Sequence, residues 1–414
     1  MTANLGPWMT ASATGAVLDA LEAAGGADCA RFVGGCVRNA LLNLPVDDID
    51  IATVLTPDQV TQALNVAGLR AVPTGIEHGT VTAISKSRPF EITTLRRDVS
   101  TDGRRASVAF TADWVEDARR RDFTLNALYA SRDGTIHDPT GRGVGDGKAG
   151  RIVFVGDPEQ RLREDYLRIL RFFRFTAWFG RGAPDSAALA ACTALKDGLG
   201  QLSAERVAKE LLKLLAADDP RAALDLMAEA GVLAAVAPEA QNLARFTALV
   251  EIEADHLFEN DPLLRLAALL PDDPLAAGRL ARRLRLSNAD GDRLMAALSP
   301  QPLLKSWMSP REIRRHVYGV GLPTFRDRAK LGWAAQPRTA ATIQWRGMIA
   351  LAEGWPRPVF PLDGDDVIKA GAPKGPLVGQ VLREVEDWWV DHDFLDDPLS
   401  AVEKLKAVVQ GMVF

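Results

Sequence analysis

Two aspartates, Asp48 and Asp50, occur in the run DDIDIAT, where Ile49 and Ile51 alternate with them. On a strand the isoleucines face a core while both carboxylates leave from the opposite face, about 7 Å apart along the chain. Like charges held that close call for a cation. Phosphoryl transfer uses such pairs: two Mg²⁺ ions roughly 4 Å apart can activate an attacking hydroxyl and stabilise a leaving phosphate oxygen. A third carboxylate, Glu91 in FEITTL, alternates with Phe90 and Ile92 and suits a neighbouring strand. About a dozen residues before the pair, Gly34-Gly35 sits at a strand-to-helix turn, where backbone N–H groups can accept a triphosphate. Arg38 lies one turn into that helix as a cation aimed at the same place. A lone D-x-D is more often a solvated strand face; three carboxylates beside a glycine turn are not.

A second group lies in RLREDYLRILRFFRF, where Asp165, Arg168, Arg171 and Arg174 recur every third residue. That spacing predicts one helix face carrying all four. Three successive arginines repel unless an anion lies along them or neighbouring acids such as Glu164 pair with them. The base-pairing edges of cytosine and adenine both offer an amino donor beside a ring-nitrogen acceptor, whereas guanine and uracil offer a carbonyl beside a ring N–H. One aspartate that accepts and one arginine that donates therefore fit C and A and reject G and U.

The elements that must position these groups read as follows. Residues 31–155 alternate short β-rich runs with glycine turns (RFVGG, DIDIATVL, GTVTAI, PFEITTL, GTIHD, RIVFV), and helical patterns lie between them, notably VRNALLN and the stretch from Asp113 to Tyr129. After Asp157-Pro158 the pattern turns helical and stays so, broken by prolines and glycines. The expected fold class is α+β: residues 1–155 as a catalytic head with a mixed, mostly antiparallel sheet, 156–220 as a helical neck that reads the base, and 221–414 as an all-α body.

The bulk properties agree. A chain of 414 residues exceeds one core. It is 47% hydrophobic and 25% charged, with no apolar run long enough to span a bilayer. Its start carries no secretory signal pattern, which points to the cytoplasm. Three scattered cysteines and five scattered histidines give neither a disulfide framework nor zinc spacing. A formal net charge of −5 excludes coating of nucleic acid by bulk attraction, so any such contact must be a local basic face.

GGCVRNALL, DDIDIAT, HGTVTAI, FEITTLRRDVSTDGRRASVAF and RRRDFTLNALY, in this order, resemble the head of the class II tRNA nucleotidyltransferase and poly(A) polymerase family, within the polymerase-β-type superfamily. The motif match runs from about Arg31 to Glu210, with looser similarity in FPLDGDDVIKAGAPKGPLVGQVL. The resemblance implies that Asp48 and Asp50 hold two Mg²⁺ ions and that Glu91 is the third catalytic carboxylate. It implies nucleotide contacts for Gly35, Arg38, Arg121, Arg171 and Arg174, and base reading by Asp165 and Arg168. Asp122 and Asn126 look like structural members of their motif, and Glu205, Arg206 and Glu210 match a neck motif. Asn39 departs from the usual aspartate, which should alter capping or a local salt bridge rather than chemistry.

The implied activity is addition of C, C and A to the 3′ end of tRNA from CTP and ATP, with contacts to the acceptor arm. The segment around Gly103 resembles the flexible loop implicated in switching from C to A. Two alternatives stand beside it: a bacterial poly(A) polymerase on the same head, and an RNA-binding protein without catalysis. Basic clusters in RLARRLRL and REIRRH could touch the tRNA backbone or be ordinary solvated helix faces.

Overall fold

The computed structural model describes residues 5–75, 79–102, 105–255, 258–301, 303–336, 341–394 and 397–411. The chain divides into two compact units, Met1–Pro238 and Glu239–Phe414.

In the first unit a seven-stranded sheet forms the head, and its strands are β1 (Ala30–Val33), β2 (Asp50–Thr53), β3 (Arg70–Gly75), β4 (Thr80–Ser85), β5 (Arg88–Thr94), β8 (Tyr129–Ala130) and β9 (Ile136–His137). Their order is β3-β4-β5-β2-β1-β8-β9. Every neighbouring pair is antiparallel except β2 and β5, which run parallel. A separate hairpin joins β6 (Arg96–Asp102) to β7 (Arg105–Phe110). The mixed sheet and the helices after it match the expected α+β class.

Both faces of β2 are buried beyond Asp50, with Ala52 packed beside Val33, Leu95 and Tyr129, and the alternation in DDIDIAT decides which core each residue meets. Ile49 and Ile51 are 2% and 0% exposed and pack with Phe32, Val81, Phe90 and Ile92. Helices α1 (Ser12–Gly25), α2 (Gly35–Leu41) and α3 (Pro57–Val66) also contribute to this core, which leaves the carboxylates on the other face. A capping box starts α3: Thr56 accepts from the Gln59 N–H, the Gln59 side chain accepts from the Thr56 N–H, and Pro57 stands at the first turn.

Two expectations need correction. The stretch from Asp113 to Tyr129 is not one helix: α4 (Trp114–Arg119) ends early, and a short 3₁₀ turn (Thr124–Asn126) leads into β8. RIVFV is not a strand but makes one isolated bridge, Phe123 with Phe154. Thr124 N–H donates to the Val153 carbonyl and Val155 N–H to the Asp122 carbonyl, so its partner is an irregular loop that cannot extend a ladder.

The neck follows α5 (Gly143–Ala149). It consists of α6 (Pro158–Glu164), α7 (Leu167–Phe179), α8 (Ser186–Ala194) and α9 (Ala204–Leu215), with α7 packed along α9. The second unit is helical among its described residues. Among those residues Arg265 and Glu253 form an ion pair at 2.6 Å with both side chains 0% exposed. In its basic clusters Arg279, Arg283, Arg314 and Arg315 pair with Asp273, Glu239, Asp393 and Asp391.

Candidate active site

Asp50 opens β2, and its Cα is in direct register with that of Glu91 on parallel β5. Registered neighbours on adjacent strands point to the same face, so the two carboxylates stand side by side. Asp48 lies two residues earlier, outside the strand and exposed; the extended pairing expected across both aspartates begins only at Asp50. Burial pushes the Asp50 carboxyl up to about 6, with Glu91 and Asp48 adding repulsion while Arg121 and Arg38 oppose it. A divalent cation would add to the counter-charge that Arg121 and Arg38 supply to this cluster.

Among the described residues no group of three or more His, Cys, Asp or Glu side chains encloses a metal by itself. Mg²⁺ ordinarily takes one or two carboxylates and completes its shell with water and substrate phosphates, so Asp48 and Asp50 are a fitting donor set.

The turn between β1 and α2 depends on glycine. Gly34 has φ +68° and ψ −117°, a backbone state that side chains disfavour, and its N–H donates to the Leu128 carbonyl. A Cβ there would stand 3.5 Å from Arg121 Nη1, so the turn also brings backbone and guanidinium together. Gly35 begins α2 and lies beside Arg38.

Arg38 is held entirely by neutral groups. Its Nη1 donates to Asn126 Oδ1 (2.6 Å), its Nε and Nη2 donate to Asn39 Oδ1 (3.0 and 2.8 Å), and its guanidinium lies 4.2 Å from the Phe179 ring centroid. Burial pulls it down to about 10 against the attraction of Asp122. Its charge is therefore available to a triphosphate. Asn39 explains part of this: an aspartate there would neutralise Arg38, and it would lose the donor that now reaches the Pro45 carbonyl at 2.8 Å. Asn39→Asp is expected to raise the KM for CTP and ATP roughly two- to fivefold, the scale of a partly exposed ion pair competing for the guanidinium. Steady-state kinetics with kcat near wild type checks this, and an unchanged KM would remove Arg38 from triphosphate binding.

Arg121 is anchored by Asp117, a residue that the sequence reading overlooked. Asp117 is 1% exposed and accepts from Arg120, Arg121 and the Tyr129 hydroxyl. Burial would raise its carboxyl, but Arg121 and Arg120 pull it down to about 2. The signal was present as an acid three and four residues before two arginines.

The arginine series is arranged differently from the expectation. Asp165 is not on the helix: it adopts an extended backbone (φ −156°, ψ 105°) between α6 and α7. Its Oδ1 accepts from the Leu167 N–H at 3.0 Å, so the side chain starts α7 rather than riding on it, as short acidic side chains commonly do at helix starts. Its Oδ2 accepts from Arg206 at 2.7 Å. Arg168 donates to Glu164 at 2.6 Å and to the Arg161 carbonyl at 2.8 Å. Arg171 donates to buried Asp122, and Arg174 lies 2.9 Å from Glu210. The neighbouring acids thus hold the ladder in place, while at its start the Arg168 N–H donates to the Asp165 carbonyl and the two side chains go to different partners. Asp122 also accepts from Asn126, which in turn holds Arg38, so the ladder and the glycine turn form one network. Gly103, Arg104 and His78, which belong to the motifs read above, and His256 lie outside the described residues.

The Poly A polymerase head domain family matches residues 30–153, and the family described as probable RNA and SrmB-binding site of polymerase A matches residues 183–243. The chain is 33% identical to the mouse mitochondrial CCA tRNA nucleotidyltransferase 1 over 391 residues, covering 90% of this chain and 86% of that protein. It is 35% identical to the CCA-adding enzyme of Lacticaseibacillus paracasei over 392 residues, covering 89% of each. The crystal structure of the Bacillus stearothermophilus CCA-adding enzyme in complex with CTP superimposes with a TM-score of 0.73 at 27% identity, covering 95% of both chains. With these relatives matched over nearly their whole length, and with the carboxylates and arginines of the motifs gathered in one unit, the chain belongs to the CCA tRNA nucleotidyltransferase and poly(A) polymerase family.

Proposed function

We propose that the chain is a nucleotidyltransferase that adds C, C and A to the 3′ end of tRNA from CTP and ATP, releasing pyrophosphate. The observation that carries this reading is the registered pair Asp50 and Glu91, with Asp48 beside it and nearby Arg38 held by neutral amides. The relatives named as CCA-adding enzymes, and the Bacillus stearothermophilus structure in complex with CTP, support it.

Asp48 and Asp50 would hold two Mg²⁺ ions, whose Lewis acidity assists an attacking hydroxyl and the departing phosphate oxygen. Glu91, exposed at the sheet face, accepts the hydrogen bond of the RNA 3′-hydroxyl and orients or deprotonates it. Arg38, Arg121, Arg171 and Arg174 bind the triphosphate at fixed positions, which makes the approach to the α-phosphorus effectively intramolecular. Asp165 accepts from the amino group of C or A, and Arg168 donates to the ring nitrogen. Residues 1–155 would then be the catalytic head, 156–220 the base-reading neck, and 221–414 the tRNA-binding body, which encloses the compact second unit. Among the described residues no helix is long and apolar enough to cross a membrane; the cytoplasm is the compartment this reading implies.

The deciding experiment supplies tRNA lacking its terminal trinucleotide with Mg²⁺ and each nucleoside triphosphate. Addition that stops after C-C-A is expected. Continued A addition would make the chain a poly(A) polymerase, and no Mg²⁺-dependent incorporation would leave it an RNA-binding protein.

A further inference from the structure

The helix that carries the arginine ladder ends on an aromatic side chain that the chemistry above does not use. Trp178, one turn beyond Arg174 on α7, is 50% exposed. Its indole N–H donates to the Lys213 backbone carbonyl at 2.7 Å, so the orientation of the exposed ring is set by α9 rather than left to solvent. Neighbouring Phe179 covers Arg38, and the Trp178 and Phe179 ring centroids are 6.5 Å apart, so Trp178 lies beside the group assigned to the triphosphate in the proposed function. On α9, Lys209 and Lys213 are one turn apart and both exposed. Lys213 lies in the field of Arg174, Lys209 and Arg171, with Glu210 opposing. Glu210 is already engaged by Arg174 at 2.9 Å and Arg171 at 3.9 Å, so it leaves the lysines largely uncompensated. On a chain with net charge −5 this is a local cationic patch next to a fixed aromatic face.

We propose that Trp178, Lys209 and Lys213 form a platform for the single-stranded 3′ end of the RNA substrate, with the ring stacking on an unpaired base and the lysines meeting the phosphates beside it. The proposal rests on the reading of the chain as an RNA nucleotidyltransferase. Arg168 and Trp178 are ten positions apart on α7, roughly 15 Å along the helix. On that reading a nucleotide whose base meets Arg168 would set its phosphates toward Arg171 and Arg174, so a base on Trp178 would belong to a different nucleotide. A free anion such as pyrophosphate would satisfy the lysines and leave the ring without a role. Alternating bases and phosphates satisfy both, and aromatic stacking tolerates any base.

The test compares two 5′-labelled RNAs by fluorescence anisotropy: tRNA keeping its unpaired 3′ nucleotides, and the same tRNA trimmed to the last acceptor base pair. Trp178→Ala should weaken binding of the first about tenfold and leave the second within about twofold, while Trp178→Phe retains most of the affinity. The double variant Lys209→Glu, Lys213→Glu should reduce the salt dependence of binding by about one to two phosphate contacts, again only for the untrimmed RNA. The KM for CTP serves as the control for folding. Equal loss on both RNAs, or none on either, overturns the platform; a rise in the CTP KM with RNA affinity intact would assign Trp178 to the nucleotide instead. Because wild type is assayed for incorporation in parallel, an inactive wild type counts against the nucleotidyltransferase reading, whereas an active wild type with unaffected variants counts against the platform alone.

Discussion

Asp50→Asn is expected to lower nucleotide incorporation by about 10³-fold or more while leaving the head folded. The size follows from the loss of a carboxylate that anchors divalent cations at a phosphoryl-transfer centre, worth several kcal/mol at about 1.36 kcal/mol per decade. Folding should survive because Ile49 and Ile51, on either side of Asp50, make the core contacts and the Asp50 side chain leaves from the opposite face. The same variant isolates a pH effect. Burial, with Glu91 and Asp48 nearby, raises the Asp50 carboxyl to about 6, so the fold favours its protonated form. A group raised in the folded state contributes stability below its unfolded value near 3.8, and loses that contribution as pH rises through about 6. In metal-free protein the melting temperature of wild type relative to Asp50→Asn should therefore fall between about pH 4 and pH 7. Asp117 and Asp122 are shifted the opposite way and are common to both proteins, so they cancel in the difference. Mg²⁺ should restore wild type at neutral pH and do little for the variant. Retained incorporation, or a difference in melting temperature that ignores pH, would sink the assignment of Asp50.

That centre could be read from sequence because strand periodicity is strict. Once Ile49, Ile51, Phe90 and Ile92 are assigned to a core, the faces of Asp50 and Glu91 follow without further information. What could not be read was the parallel register that sets those two side by side, since it depends on the long path through α3, β3 and β4. Strand β3 was hidden by Pro73, which argues against a strand; it is tolerated because β3 is the sheet edge and is irregular between Val72 and Gly75. The break at Asp165 was missed for a different reason. Helical spacing predicts faces only while the helix continues, and Asp165 breaks it, its side chain accepting from the Leu167 N–H ahead of α7. Spacing therefore placed the arginines of α7 correctly relative to one another and misplaced the aspartate.

The corrected geometry sharpens a second result: Arg168→Ala is expected to lower kcat/KM for CTP and ATP about 10- to 100-fold and to change UTP and GTP much less, so that discrimination narrows. The range is that of one hydrogen bond from a charged donor, lost in a desolvated site. Arg168→Lys keeps the charge but not the planar fork and should restore little. A competing account is available from the contacts themselves, because Arg168 braces Glu164 and the Arg161 carbonyl, and its removal could simply loosen the junction of α6 and α7. The two accounts separate on the non-cognate nucleotides. A loosened junction lowers all four triphosphates together and lowers the melting temperature, whereas loss of base reading penalises only those bases that present an acceptor to the guanidinium and a donor to Asp165. Asp165 gives the reciprocal check. Its Oδ1 is occupied by the Leu167 N–H and its Oδ2 by Arg206, yet each carboxylate oxygen has a second lone pair, so it can accept a base amino group without releasing either partner. Asp165→Asn would keep an acceptor for one of them and add a donor, which should specifically relieve the exclusion of bases that present a carbonyl.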